Sequence, residues 1–94
     1  MDATLRSLRI GLGLTLTAVA RTIKVNTGML SEIERGRRPA PRYVAERLGE
    51  VLGLDVQDVL ALGRNAQREH RRQIASQEFA RVFPDYLSIR EATK

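Results

Sequence analysis

Cysteine is absent from this 94-residue chain, which removes disulfides and thiolate metal ligands. Histidine occurs once, as His70, and one imidazole cannot hold a metal ion alone. Tryptophan is also absent, and the aromatic residues are Tyr43, Phe79, Phe83 and Tyr86. No apolar run approaches the roughly 20 residues of a membrane span. The N-terminus lacks the basic start, apolar stretch and small-residue cleavage site of a signal peptide. No nucleophile stands in a pattern with a base, and "GLG" at 11–13 lacks the strand and further glycine of a nucleotide-binding loop. The expectation is a soluble cytoplasmic protein with no membrane contact, no cofactor, no metal and no enzymatic activity. No segment alternates with period two, so no strand is expected.

What the chain does have is positive charge. Lys and Arg number 16 against 11 Asp and Glu, giving +5 overall. A basic balance favours polyanionic partners, chiefly nucleic acid. Placement sharpens this. Between residues 21 and 42 stand Arg21, Lys24, Arg35, Arg37, Arg38 and Arg42, opposed only by Glu32 and Glu34. A second cluster, Arg64, Arg68, Arg71 and Arg72, is diluted by Glu69.

The breaks divide the chain into helices. Leu5, Leu8 and Leu12 form one helical stripe that stops near Gly11 and Gly13. Thr15 suits an N-cap, and Val19, Ala20 and Ile23 then share a face over about 16–23. Asn26 is another N-cap candidate, opening a helix that Gly36 closes. Pro41 is placed as the first residue of a fourth helix carrying Val44, Leu48, Val51 and Leu52, which Gly53 ends. Asp55 caps a short fifth helix with Val56, Val59 and Leu60 inward, ended by Gly63. Beyond Gly63 the composition turns polar and basic, then apolar. Ala75, Phe79, Val82 and Phe83 fit one stripe of a sixth helix over about 65–83, and Pro84 would stop it. A chain this long buries roughly two thirds of its unfolded surface, enough for one modest core.

Two helices joined by three or four residues form an αα-hairpin, and its DNA-binding form is the helix-turn-helix. Small Ala20 would let the third helix cross closely, with Val25, Leu30 and Ile33 seating it on the core. At 100° per residue, Gly28, Ser31, Glu32 and Arg35 fall opposite Leu30 and Ile33, with Thr27 on the flank. That outer face is small and polar. A major groove about 12 Å wide admits such a helix. Gly28 would let the backbone lie close to the bases; alternatively it is a tolerated helix defect.

Residues 5–62 resemble the Cro/CI-type (XRE-like) helix-turn-helix family of repressors. "LTLTAVARTIKVNTGMLSEIERGRRPAPRYVAERLGEVLGLDVQDVL" carries that family's pattern nearly end to end. Leu14 and Thr15 match the start of its second helix, and Val19 and Ala20 its Leu-Ala pair. Leu30, Ser31, Ile33, Glu34 and Gly36 match its Ile-Ser-x-Ile-Glu-x-Gly signature. The resemblance implies an all-α, compact five-helix domain over 1–63 and a C-terminal helical extension over 64–94. It implies a transcriptional regulator, most simply a repressor, that binds a palindromic operator in double-stranded DNA as a homodimer near the nucleoid. Asn26, Thr27, Gly28, Met29 and Glu32 occupy the base-reading positions. Thr27 would bond a base or a phosphate. Met29 would touch a thymine methyl or fill the core. Glu32 would accept from a cytosine amino group or pair with Arg35, and Asn26 would cap the helix. Arg37, Arg38 and Arg42 follow the third helix, where the family grips phosphates. The resemblance also pairs Glu34 with Arg9 as a structural ion pair.

Three positions depart from the family pattern. Leu16 stands where a phosphate-binding glutamine is usual, and Lys24 where the turn usually has glycine. Lys24 must then adopt a left-handed conformation or alter the turn, and is itself placed to reach a phosphate. Gly28 replaces a longer side chain. For the extension, Phe79, Val82, Phe83 and Tyr86 are candidates for a dimer interface, for packing on the domain, or for binding a regulatory partner protein. The rival reading is an antitoxin-type or interaction module of the same fold whose tail binds a partner.

Overall fold

A computed structural model describes residues 3–82. Their element order is α1 (Leu5–Gly11), α2 (Leu16–Ile23), α3 (Thr27–Glu34), α4 (Arg42–Leu52) and α5 (Val56–Val82), with no strand among the described residues.

Local chemistry sets each boundary. α1 opens on a capping box: the Ser7 amide donates to Thr4 Oγ1 at 3.0 Å, and the Thr4 amide to Ser7 Oγ at 2.8 Å. It ends at Gly11, so Leu12 leaves the stripe expected for it and is 55% exposed. Thr15 caps α2 by accepting from the Ala18 amide at 3.1 Å. α2 stops at Lys24, the one described non-glycine residue with positive φ (58°). α3 closes in a Schellman motif, with the Arg37 amide on the Glu32 carbonyl at 2.9 Å and the Gly36 amide on the Ile33 carbonyl at 3.1 Å. Gly36 takes the left-handed position at φ 76°. Pro41 is the extended N-cap of α4, one residue outside the helix it was expected to begin.

Among the described residues the core is one cluster. Leu5, Val19, Ala20, Ile23, Leu30, Ile33, Val44, Ala45, Leu48 and Val59 are all buried. Each fully buried Leu, Ile or Val contributes about 2 kcal/mol relative to exposure. α5 packs against α4, α3 and α1, and α2 against α3 and α4.

The expected break at Gly63 is absent. The fifth and sixth helices are one 27-residue helix, Val56–Val82. Gly63 is buried within it, where an added Cβ would touch Ala40 Cβ at 3.9 Å. That is ordinary van der Waals contact, and the residue continues the helix rather than ending it. At 1.5 Å per residue α5 is about 40 Å long, so it runs most of the 46 Å length of the described residues. Phe83, Pro84 and Tyr86 lie outside the described residues.

Candidate nucleic-acid interface

α3 is positioned by its inner face. Leu30 and Ile33 are fully buried, which leaves the opposite side outward. Thr27 and Gly28 are exposed; Ser31 and Glu32 are half-buried. Asn26 caps the helix, its Oδ1 accepting from the Gly28 amide at 2.7 Å. A Cβ on Gly28 would stand 3.0 Å from that oxygen, so the glycine also relieves crowding at the cap. Met29 is half-buried and packs against the core cluster, which favours the filler reading for most of its side chain.

The cations around α3 divide into two sets. Arg38 Nε donates to Glu32 Oε2 at 2.9 Å, with both side chains about half exposed. Glu32 thus pairs with Arg38, not with Arg35 as its surface reading supposed. Arg35 instead lines a groove toward α1 and α5, beside Thr4, Asn65, Ala66 and His70. Its amide still donates to the Ser31 carbonyl at 3.0 Å, and the chain turns away only at Gly36. Arg42 is paired along α4 with Glu46 at 3.1 Å. Arg21, Lys24 and Arg37 form no ion pair among the described residues, and all three are exposed. They leave unneutralised charge beside both ends of α3.

Glu34 is tied down from behind. Arg9 Nε donates to Glu34 Oε2 at 2.7 Å and Arg9 Nη2 to Oε1 at 3.1 Å, a two-pronged bond between side chains only 11% and 8% exposed. Arg9 Nη1 adds the Leu14 carbonyl at 2.8 Å. The Glu34 hydrogen bond raises the guanidinium pKa above its ordinary value, burial opposes this, and the carboxylate charge adds to it. The pair joins α1 to α3 and carries no catalytic geometry.

Two residues escaped sequence reasoning. Arg47 Nη1 donates to the Ile23 carbonyl at the end of α2 (2.9 Å), and its guanidinium lies 5.3 Å from the Tyr43 ring centroid. The i, i+4 spacing of Tyr43 and Arg47 was the available signal; the carbonyl it reaches depends on the α2–α4 crossing. Among the described residues no His, Cys, Asp and Glu gather as a metal site, and no helix is long and apolar enough to cross a membrane.

This arrangement of a capped, outward α3 held across a tight turn by α2 is that of a helix-turn-helix. Residues 3–62 match the family described as a helix-turn-helix domain, and the chain belongs to that family of DNA-binding transcription regulators. A solved structure similar to it is the clp gene regulator ClgR from Corynebacterium glutamicum. The two are 36% identical, over 83% of this chain and 80% of that one, with a TM-score of 0.56. No curated protein matches the chain.

Proposed function

We propose that the chain is a repressor that binds a palindromic operator as a homodimer, inserting α3 in the major groove. The observation that carries this is the outer side of α3: exposed Thr27 and Gly28 flanked by Lys24 and Arg37, two exposed cations with no ion pair among the described residues. Groove-facing polar side chains read bases, while flanking cations set affinity and register through phosphates. Asn26, Thr27, Gly28, Met29 and Glu32 form the reading edge, and Lys24, Arg37, Arg38 and Arg42 the phosphate grip. Arg38 and Arg42 would exchange Glu32 and Glu46 for phosphate on binding, which frees the Glu32 carboxylate for a cytosine amino group. The likeness to ClgR supports a role in gene regulation.

Homodimerisation is assigned to the outer part of α5. Ile74, Phe79 and Val82 are 42%, 45% and 66% exposed there, beyond the main core. The same surface serves the second reading, a tail that binds a regulatory protein. A two-fold dimer reads half-sites about 34 Å apart.

Selection of bound duplexes from a random pool tests the proposal. Thr27→Ala should change the preferred sequence, whereas Arg37→Ala should weaken all sequences alike. Both variants selecting the parent's sites at the parent's strength would overturn the assignment of contacts.

A further inference from the structure

The turn between α2 and α3 sets the angle at which α3 leaves the protein. It is built on an unusual residue. Lys24 sits at φ 58°, ψ 47°, the left-handed region that glycine alone enters without a Cβ clash. Two amides hold the turn from within: Lys24 N donates to the Arg21 carbonyl at 3.3 Å and Val25 N to the Ala20 carbonyl at 3.0 Å. The Lys24 amide also reaches the Ala20 carbonyl, so its bond is shared between two acceptors.

The Ile23 carbonyl, among the last of α2, has no intrahelical partner of its own. Arg47 supplies one from α4, at 2.9 Å. A guanidinium at this point also meets the negative end of the α2 dipole. Tyr43, one turn earlier on α4, holds the guanidinium against its ring at 5.3 Å. α4 is itself anchored by Val44 and Leu48, buried in the core. α4, which lies outside the hairpin, therefore grips the strained turn through Arg47.

We propose that Arg47, backed by Tyr43, is a positioning residue for DNA reading: its bond to the Ile23 carbonyl holds the left-handed turn at Lys24 and thereby the attitude of α3. This rests on the DNA-binding role proposed above. Arg47 touches no base or phosphate in this scheme.

The test uses the full chain and its Arg47→Ala and Arg47→Lys variants, each with and without Lys24→Gly. Circular dichroism sets a temperature at which all are folded. Two quantities are read: hydrogen exchange at the Lys24 and Val25 amides, and affinity for the selected duplex across a salt series. Arg47→Ala should speed exchange at both amides and weaken binding roughly tenfold, the loss of one charge-assisted hydrogen bond. The slope of log affinity against log salt should not change, because no phosphate contact is lost. Arg47→Lys should restore part of both. In the Lys24→Gly background, where the turn is unstrained, the same Arg47→Ala change should cost less than about threefold.

Unchanged exchange at the turn would overturn the proposal. So would a slope reduced by about one unit, which marks a direct phosphate contact, or an equal loss of affinity in both backgrounds. A parent chain that selects no duplex would remove the DNA reading instead, while exchange at Lys24 and Val25 would still decide whether Arg47 holds the turn.

Discussion

Gly36 lies directly against the backbone of Ala66. A Cβ at Gly36 would fall inside the Ala66 carbonyl and stand 2.8 Å from the Gln67 amide nitrogen. The loop after α3 thus rests on α5 three residues beyond the expected domain end at Gly63. The start of the extension is part of the seat on which α3 is built.

Gly36→Ala should therefore be severely destabilising. The substitution meets two penalties, a left-handed φ of 76° and overlap with main chain that cannot rotate away. A loss of about 3 kcal/mol is expected in urea melts. Gly53→Ala is the control: φ is 72° there, but a Cβ would meet nothing within 4 Å. It should cost only about 1 kcal/mol. Equal losses at the two sites would show that backbone conformation, not the Ala66 contact, decides the matter.

The Arg9–Glu34 pair gives a second prediction. Removing one partner strands a nearly buried charge, so Arg9→Met alone should cost about 3 kcal/mol or more. Arg9→Met with Glu34→Leu should cost distinctly less than the single change, because no charge is then left unpaired. The sign with pH follows from the raised Arg9 pKa. A raised folded-state value contributes stability that is fully present below the ordinary arginine pKa and is lost only as pH rises through the higher one. Urea midpoints of parent and Arg9→Met should thus keep a constant gap, as far as Arg9 is concerned, from pH 7 to 10. A gap closing over that interval would contradict the charged pair.

Much of this architecture was legible in local sequence. Thr15, Asn26 and Gly36 are side chains or conformers that act on their own helix ends, so their roles follow from neighbours a few residues away. Leu30 and Ile33 were legible for the same reason, through helical period. What escaped was long-range. Gly63 reads as a stop, yet it lies buried inside a continuous helix against Ala40. Arg47 finds its partner 24 residues away, at Ile23, across a helix crossing that no local pattern encodes. Glu32 selects Arg38 over Arg35 because the Schellman turn redirects the chain after α3. Local chemistry set the caps, and packing decided which glycines stop helices and which cations stay unpaired.

Lys24 sets stability against binding. Its left-handed backbone costs about 1 kcal/mol that glycine would not incur. Lys24→Gly should raise the melting temperature by a few degrees. If the ammonium grips a phosphate, the same variant should bind DNA more weakly and lower the salt slope by about one unit. Lys24→Asn, which tolerates the left-handed region, should match it in binding with a smaller gain in stability. A variant more stable and equally tight would show that Lys24 faces solvent in the complex.

The two ends of the extension should separate under truncation. Ending the chain after Gly63 removes Ala66 and Gln67, the seat of Gly36, so the domain itself should lose stability. Ending it after Ser76 keeps that seat and removes Phe79 and Val82 with the residues that follow. The longer fragment should melt near the parent once concentration is matched and dimer coupling is allowed for. If the apolar end of α5 joins two copies, it should sediment as a monomer where the parent is a dimer. Operator affinity should fall with it, because one half-site contributes only about half the binding free energy. A Ser76-ended chain that sediments and binds like the parent would move the dimer contact off the end of α5. The exposed Phe79 and Val82 would then belong to the partner-protein reading. A fragment ended after Gly63 that melts like the parent would instead deny that Ala66 supports the α3 loop.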